Sequence, residues 1–197
     1  MNNAVTILSN EKQRLESGVD YTSQKLYEIY APALAQRPSK NLQGEVVMVS
    51  YIDADKLNPE QREQFERYSK LNRQHRARLC VFNTYVKSLT PKETIESYNE
   101  YVEPLDNYKG VTIPSNVTDV DEKHRFTKFS IKVGPYIVES KERMTLEEYS
   151  ALYTASLNNA LRRTLGNGLS EQEAMQQIQN ACTEVYLHKG QNTGMTL

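Results

Sequence analysis

Residues 58–89 read NPEQREQFERYSKLNRQHRARLCVFNTYVKSL, and the periodicity of this stretch decides the fold class. Asn58 is a good N-cap ahead of Pro59 at the first helical position, and Glu60, Glu63 and Glu66 occupy the positive end of the helix dipole. At about 100° per residue, Phe65, Tyr68, Leu71, His75, Leu79, Phe82, Val86 and Leu89 fall on one stripe, which the two-residue period of a strand cannot produce. The spacing predicts a helix over 59–89. Ala77, Cys80, Val81 and Tyr85 add apolar residues on its other sides, so the second half is expected to be the more deeply buried.

On the N-terminal side, Leu8, Leu15, Val19, Thr22, Leu26, Ile29, Tyr30 and Ala33 share a face and predict a first helix covering much of 9–36, with Gly18 and Pro32 as points of interruption or kinking. The run Arg37-Pro38-Ser39-Lys40-Asn41 ends it. Residues 45–52, EVVMVSYI, are β-branched and nearly continuously apolar, as a central strand buried on both faces would be.

On the C-terminal side, three pairs have reciprocal capping spacing: Thr90 with Glu93, Thr145 with Glu148, and Ser170 with Glu173. Helical stripes follow each, and Gly166-Asn167-Gly168 separates the last two as an antiparallel pair. Between them Thr127, Phe129, Ile131 and Val133 alternate with polar residues ahead of Gly134-Pro135, predicting a hairpin over 125–138, with Val111–Ile113 as a short edge strand. The expected fold is therefore mainly helical α+β, about five helices around a small, largely antiparallel sheet. A single globular domain over 1–188 and a polar tail over 189–197 complete the reading.

Charge and composition narrow the function classes. The 197 residues contain 24 Lys and Arg against 25 Asp and Glu, a net charge of -1, so any polyanion site must be a local patch. The 38% hydrophobic content is modest, but 13 Tyr and 4 Phe supply large apolar bodies and argue against wholesale disorder. The opening residues lack a basic leader region and no apolar run reaches membrane-spanning length, so a cytoplasmic, non-secreted chain without membrane association is expected. Cys80 and Cys182 both fall inside predicted helices and are read as reduced, mostly buried thiols.

The most informative charge feature is a stretch without acids that carries Arg67, Lys70, Arg73, Arg76, Arg78 and Lys87. Lys70, Arg73 and Arg76 spread over the side opposite the apolar stripe, a candidate surface for phosphates or an acidic protein. The plainer reading is a solvated helix face paired with acids of neighbouring elements. His75 lies mid-stripe, where a hydrogen-bonded structural histidine outweighs a metal ligand. The run Asp119–His124 gathers three carboxylates and an imidazole but lacks a calcium loop's glycine and spacing. Cys182 and His188 point to different sides of one helix.

Tyr98, Tyr101 and Tyr108 lie in an acidic, aromatic stretch suited to a protein interface, with a core role for Tyr98 as the alternative. No spacing in the sequence points to a bound cofactor or metal. Three classes follow: a non-enzymatic assembly or protein-interaction subunit of a larger complex, such as a virion or other multi-subunit assembly, that self-associates or holds a protein partner; a nucleic-acid-binding protein using helix 67–87; and an enzyme whose site is assembled from distant residues.

Overall fold

The computed structural model describes residues 3–98, 130–133, 136–139 and 144–191. In chain order these form helix α1 (Asn3–Tyr30), strands β1 (Leu34–Lys40) and β2 (Val46–Ile52), helix α2 (Pro59–Leu89), a helical segment α3 over 92–98, strands β3 (Ser130–Val133) and β4 (Tyr136–Glu139), and helices α4 (Leu146–Leu165) and α5 (Glu171–Gln191). Short 3-10 turns, Ala31–Ala33 and Ala54–Lys56, stand at the two ends of the β1–β2 hairpin. The fold is mainly helical α+β, with two antiparallel two-stranded sheets among the described residues.

The helix starts follow the local chemistry. Asn58 Oδ1 accepts from the Gln61 N–H at 2.8 Å, and Gln61 Oε1 accepts from the Asn58 N–H at 3.0 Å, a reciprocal cap ahead of Pro59. Thr145 and Glu148 close the same box at the start of α4, and Ser170 and Glu173 at the start of α5. Thr90 behaves differently from its expected cap: its hydroxyl donates to the Val86 carbonyl at 2.7 Å and finishes α2.

Contacts divide the chain into two compact units, one made of residues 1–15 and 76–197 and the other of residues 16–75. The first is a helical core. Leu8 and Leu15 of α1, Phe82 and Val86 of α2, Tyr153, Leu157 and Leu161 of α4, and Ile178 and Cys182 of α5 are all buried there. Each large apolar side chain so covered is worth roughly 1.5–3 kcal/mol. Tyr85, in the same core, satisfies its hydroxyl by donating to Asn158 Oδ1 at 2.7 Å.

The second unit has a smaller apolar cluster of Ile29, Ala33 and Leu57, flanked by Ile52, Phe65 and Tyr68. A polar clasp joins its two helical stretches, where Asn72 Nδ2 donates to Thr22 Oγ1 at 2.8 Å and to Ser23 Oγ at 2.9 Å. The Thr22 hydroxyl passes the chain on to the Gly18 carbonyl at 2.8 Å.

Several expectations change. The first helix begins at Asn3 and ends at Tyr30, because Pro32 opens a 3-10 turn and residues 34–40 pair as β1 with β2. The stretch 45–52 is not a buried central strand: every residue from Val46 to Tyr51 is exposed, in a sheet that has two strands among the described residues. The hairpin read in 125–138 is present as β3 and β4, in register Ser130↔Glu139 to Val133↔Tyr136. Helix α5 continues to Gln191, past the Lys189 at which the tail was placed. Val111–Ile113, Asp119–His124, Tyr101 and Tyr108 lie outside the described residues.

Candidate functional site

The hairpin Leu34–Ile52 is the largest exposed apolar feature of its unit. Its turn is held by Asn41, whose Oδ1 accepts from the N–H groups of Gln43 at 3.0 Å and Glu45 at 2.9 Å, while its Nδ2 donates to the Glu45 carboxylate at 2.8 Å. Gly44 supplies the positive φ of 82° that this turn requires. Beyond it, Val46 is 69% exposed and Met48 60%, values that no buried strand would show.

Two flanking bonds fix the direction of every amide. The Asn41 N–H donates to the Glu45 carbonyl at the turn, and the Asp53 N–H donates to the Ala33 carbonyl at the base. In an antiparallel ladder such closely bonded pairs recur at every second residue. With the register Leu34↔Ile52 to Lys40↔Val46, residues Ala35, Arg37 and Ser39 bond Tyr51, Val49 and Val47. Leu34, Gln36, Pro38 and Lys40 on one strand, and Val46, Met48, Ser50 and Ile52 on the other, turn their backbone groups outward.

The two edges are therefore unequal. Pro38 has no N–H, and it lacks one at an outward position, which blunts the edge of β1. The edge of β2 retains all its donors and acceptors, and no described strand pairs with it. The two faces differ as well. Val47, Val49 and Tyr51 share one with Arg37, whose guanidinium stands 5.3 Å from the centre of the Tyr51 ring. Val46, Met48, Ser50 and Ile52 share the other with Leu34, Pro38 and Lys40.

Aromatic side chains of the same unit add to the exposed apolar surface. Tyr21 and Tyr27 on α1 are exposed, and their rings meet Tyr68 and Tyr30 edge to face at 6.4 and 5.7 Å. Tyr30 in turn meets Phe65 at 6.4 Å.

The basic residues of α2 do not form one uniform face. In the unit of residues 16–75, Arg67, Lys70 and Arg73 are exposed, and Glu63 and Glu66 stand one turn ahead of the first two, at the spacing that lowers a local positive potential. In the other unit, Arg76 and Lys87 are exposed, whereas Arg78 is half-buried and its guanidinium is pushed down from the usual arginine range by that burial. Tyr98 is half-buried, and its ring centre lies 4.9 Å from that of Tyr186 in an edge-to-face contact.

One polar cluster escaped the sequence reading. Glu11 is 3% exposed, yet it accepts from the Tyr153 hydroxyl at 2.9 Å and from Arg14 Nε and Nη2 at 2.9 and 2.7 Å. Those bonds hold the Arg14 guanidinium above its usual range, and burial pushes the Tyr149 hydroxyl up to about 12. Its signal in the sequence was a lone acid, Glu11, on the apolar side of α1 between Leu8 and Leu15.

The remaining candidates resolve simply. His75 is half-buried with its ring against Gly18. Cys182 is buried and its thiol is pushed up to about 12, the reverse of an activated nucleophile, while Cys80 is exposed. Among the described residues no three metal-ligating side chains converge, and no helix is long and apolar enough to cross a membrane. No protein-family model matches the sequence, no curated protein matches it, and no solved structure matches the fold.

Proposed function

We propose that this protein is a non-enzymatic interaction or assembly subunit, with the β1–β2 hairpin as its docking element. The observation that carries this reading is the exposed run Val46–Tyr51, which has no charged side chain, an edge with all its donors and acceptors and, among the described residues, no strand paired to it. A soluble chain normally blunts such an edge or buries such a strand. This one blunts only the edge of β1. The exposed Tyr21 and Tyr27 give the same unit further contact area of the kind enriched at interfaces.

The experiment follows hydrogen exchange of amides 46–52 together with native mass, first for the purified chain and then after passage over nucleic acid at low and high salt. Protection of these amides in a discrete protein assembly that is indifferent to salt supports the reading. Salt-dependent retention on nucleic acid, lost in Arg67→Glu/Arg73→Glu while amides 46–52 stay unprotected, replaces it with a polyanion-binding function.

A further inference from the structure

We infer that the partner of the β2 edge is a second copy of this chain, paired antiparallel through β2 about a two-fold axis at Met48. This rests on the hairpin being a docking element and goes further by naming the occupant and the register.

Three observations carry it. The first is the inequality of the edges. An edge that pairs with its own copy closes a dimer, and because Pro38 blunts the opposite edge the assembly stops at four strands instead of growing into a fibre. The second is neutrality: no side chain from Val46 to Ile52 is charged, so self-pairing sets no like charges opposite one another within the strand.

The third is charge complementarity, which selects the register. Outward-facing residues must meet outward-facing residues, so the two-fold axis passes through a residue, and Met48, Val49 and Ser50 are the positions that keep at least five residues of each strand paired. An axis at Val49 sets Glu45 opposite Asp53 of the second copy, two acids face to face. An axis at Ser50 sets Asp53 opposite Val47. An axis at Met48 pairs Val46 with Ser50 and Val47 with Val49, and sets Glu45 opposite Tyr51 of the second copy. Directly opposed residues share a face, and Tyr51 carries Arg37 above its ring at 5.3 Å. The Glu45 carboxylate of each copy therefore arrives beside the Arg37 guanidinium of the other.

Pairing over so few residues buries less than the roughly 800 Å² per partner of a standard interface, so a concentration-dependent dimer is expected. Sedimentation of the full chain across a concentration series tests it. The 22.7 kDa chain should approach twice its mass as concentration rises. Met48→Pro removes an outward N–H and leaves the ladder to β1 intact, so it should raise the dimer dissociation constant at least tenfold with circular dichroism unchanged.

Should that variant fold poorly, a charge series reports independently. Arg37→Glu and Glu45→Arg should each weaken the dimer, and the two together should restore it. In a Cys80→Ser background, Met48→Cys should cross-link the two copies on oxidation. A chain that stays monomeric at every concentration overturns the inference, as does a monomer that captures an extended apolar peptide along β2. A dimer indifferent to Met48→Pro and to the charge series overturns it too, while leaving an assembly role through other surfaces standing.

Discussion

Gly18 makes room for His75: a Cβ built on Gly18 would lie 2.7 Å from Nδ1 and 3.1 Å from Cγ of the imidazole. A mid-helix glycine costs about 1 kcal/mol in helix propensity. Here the residue permits a ring from α2 to lie against the α1 backbone, one turn from the Asn72 clasp on Thr22. Because Cγ, at the root of the ring, is among the close atoms, the imidazole cannot escape by swinging its tip alone.

Gly18→Ala is therefore expected to destabilise the protein by about 1–3 kcal/mol, overpacking outweighing the gain in propensity. His75→Ala alone should cost a similar ~1–3 kcal/mol through lost packing and an orphaned partner. In the His75→Ala background, Gly18→Ala should turn stabilising, by roughly 0.5–1 kcal/mol. Urea midpoints of the four proteins measure the cycle; additive losses would mean that the two residues do not press on one another.

The Glu11 cluster predicts strong coupling. Tyr153→Phe removes one donor and should cost about 1–2 kcal/mol, and Glu11→Gln, which also strands Arg14, about 1–3 kcal/mol. The double variant should cost less than the sum, since one change removes and the other weakens the same charge-assisted bond. A double-mutant cycle in chemical denaturation reads this directly.

Alkaline pH should unfold the chain early. Burial lifts Tyr149 from 10.0 to about 12 and Cys182 from 9.0 to about 12, so the folded state holds protons that the unfolded chain releases. Stability is then full below about pH 9 and falls as pH rises towards the folded values, by up to ~1.4 kcal/mol per group and pH unit. Melting temperatures between pH 8 and 11 should show the decline, and Tyr149→Phe should make it shallower.

The two thiols should separate cleanly. Cys80 is exposed and should react with an alkylating reagent in the native protein, whereas buried Cys182 should react only on unfolding. Peptide mass mapping before and after denaturant gives the answer, and native labelling of Cys182 would contradict its burial.

Where periodicity was long, reading it was sufficient. The stripe from Phe65 to Leu89 and the caps at Asn58, Thr145 and Ser170 appear where local chemistry placed them, because caps and stripes depend on neighbours within one turn. The hairpin was misread for a physical reason. A continuous β-branched run looks the same whether or not helices cover it, so residues 45–52 were assigned to the interior. The Asn41–Gly44 turn between two extended stretches was the missing cue, and Pro38 the sign of an edge. The Glu11–Tyr153 bond joins residues 142 positions apart, a separation that no local pattern spans.

The division of the chain sets an order of events at the ribosome. Residues 16–75 form a unit that is contiguous in sequence, whereas the other unit needs residues 1–15 together with chain made after residue 76. At ~5–20 residues per second, the buried Leu8, Glu11 and Leu15 wait roughly seven to thirty seconds for Tyr153 and the helices around it. The first half of α1 is thus the part of the nascent chain most in need of a chaperone, and a pause in translation before α4 would prolong its exposure.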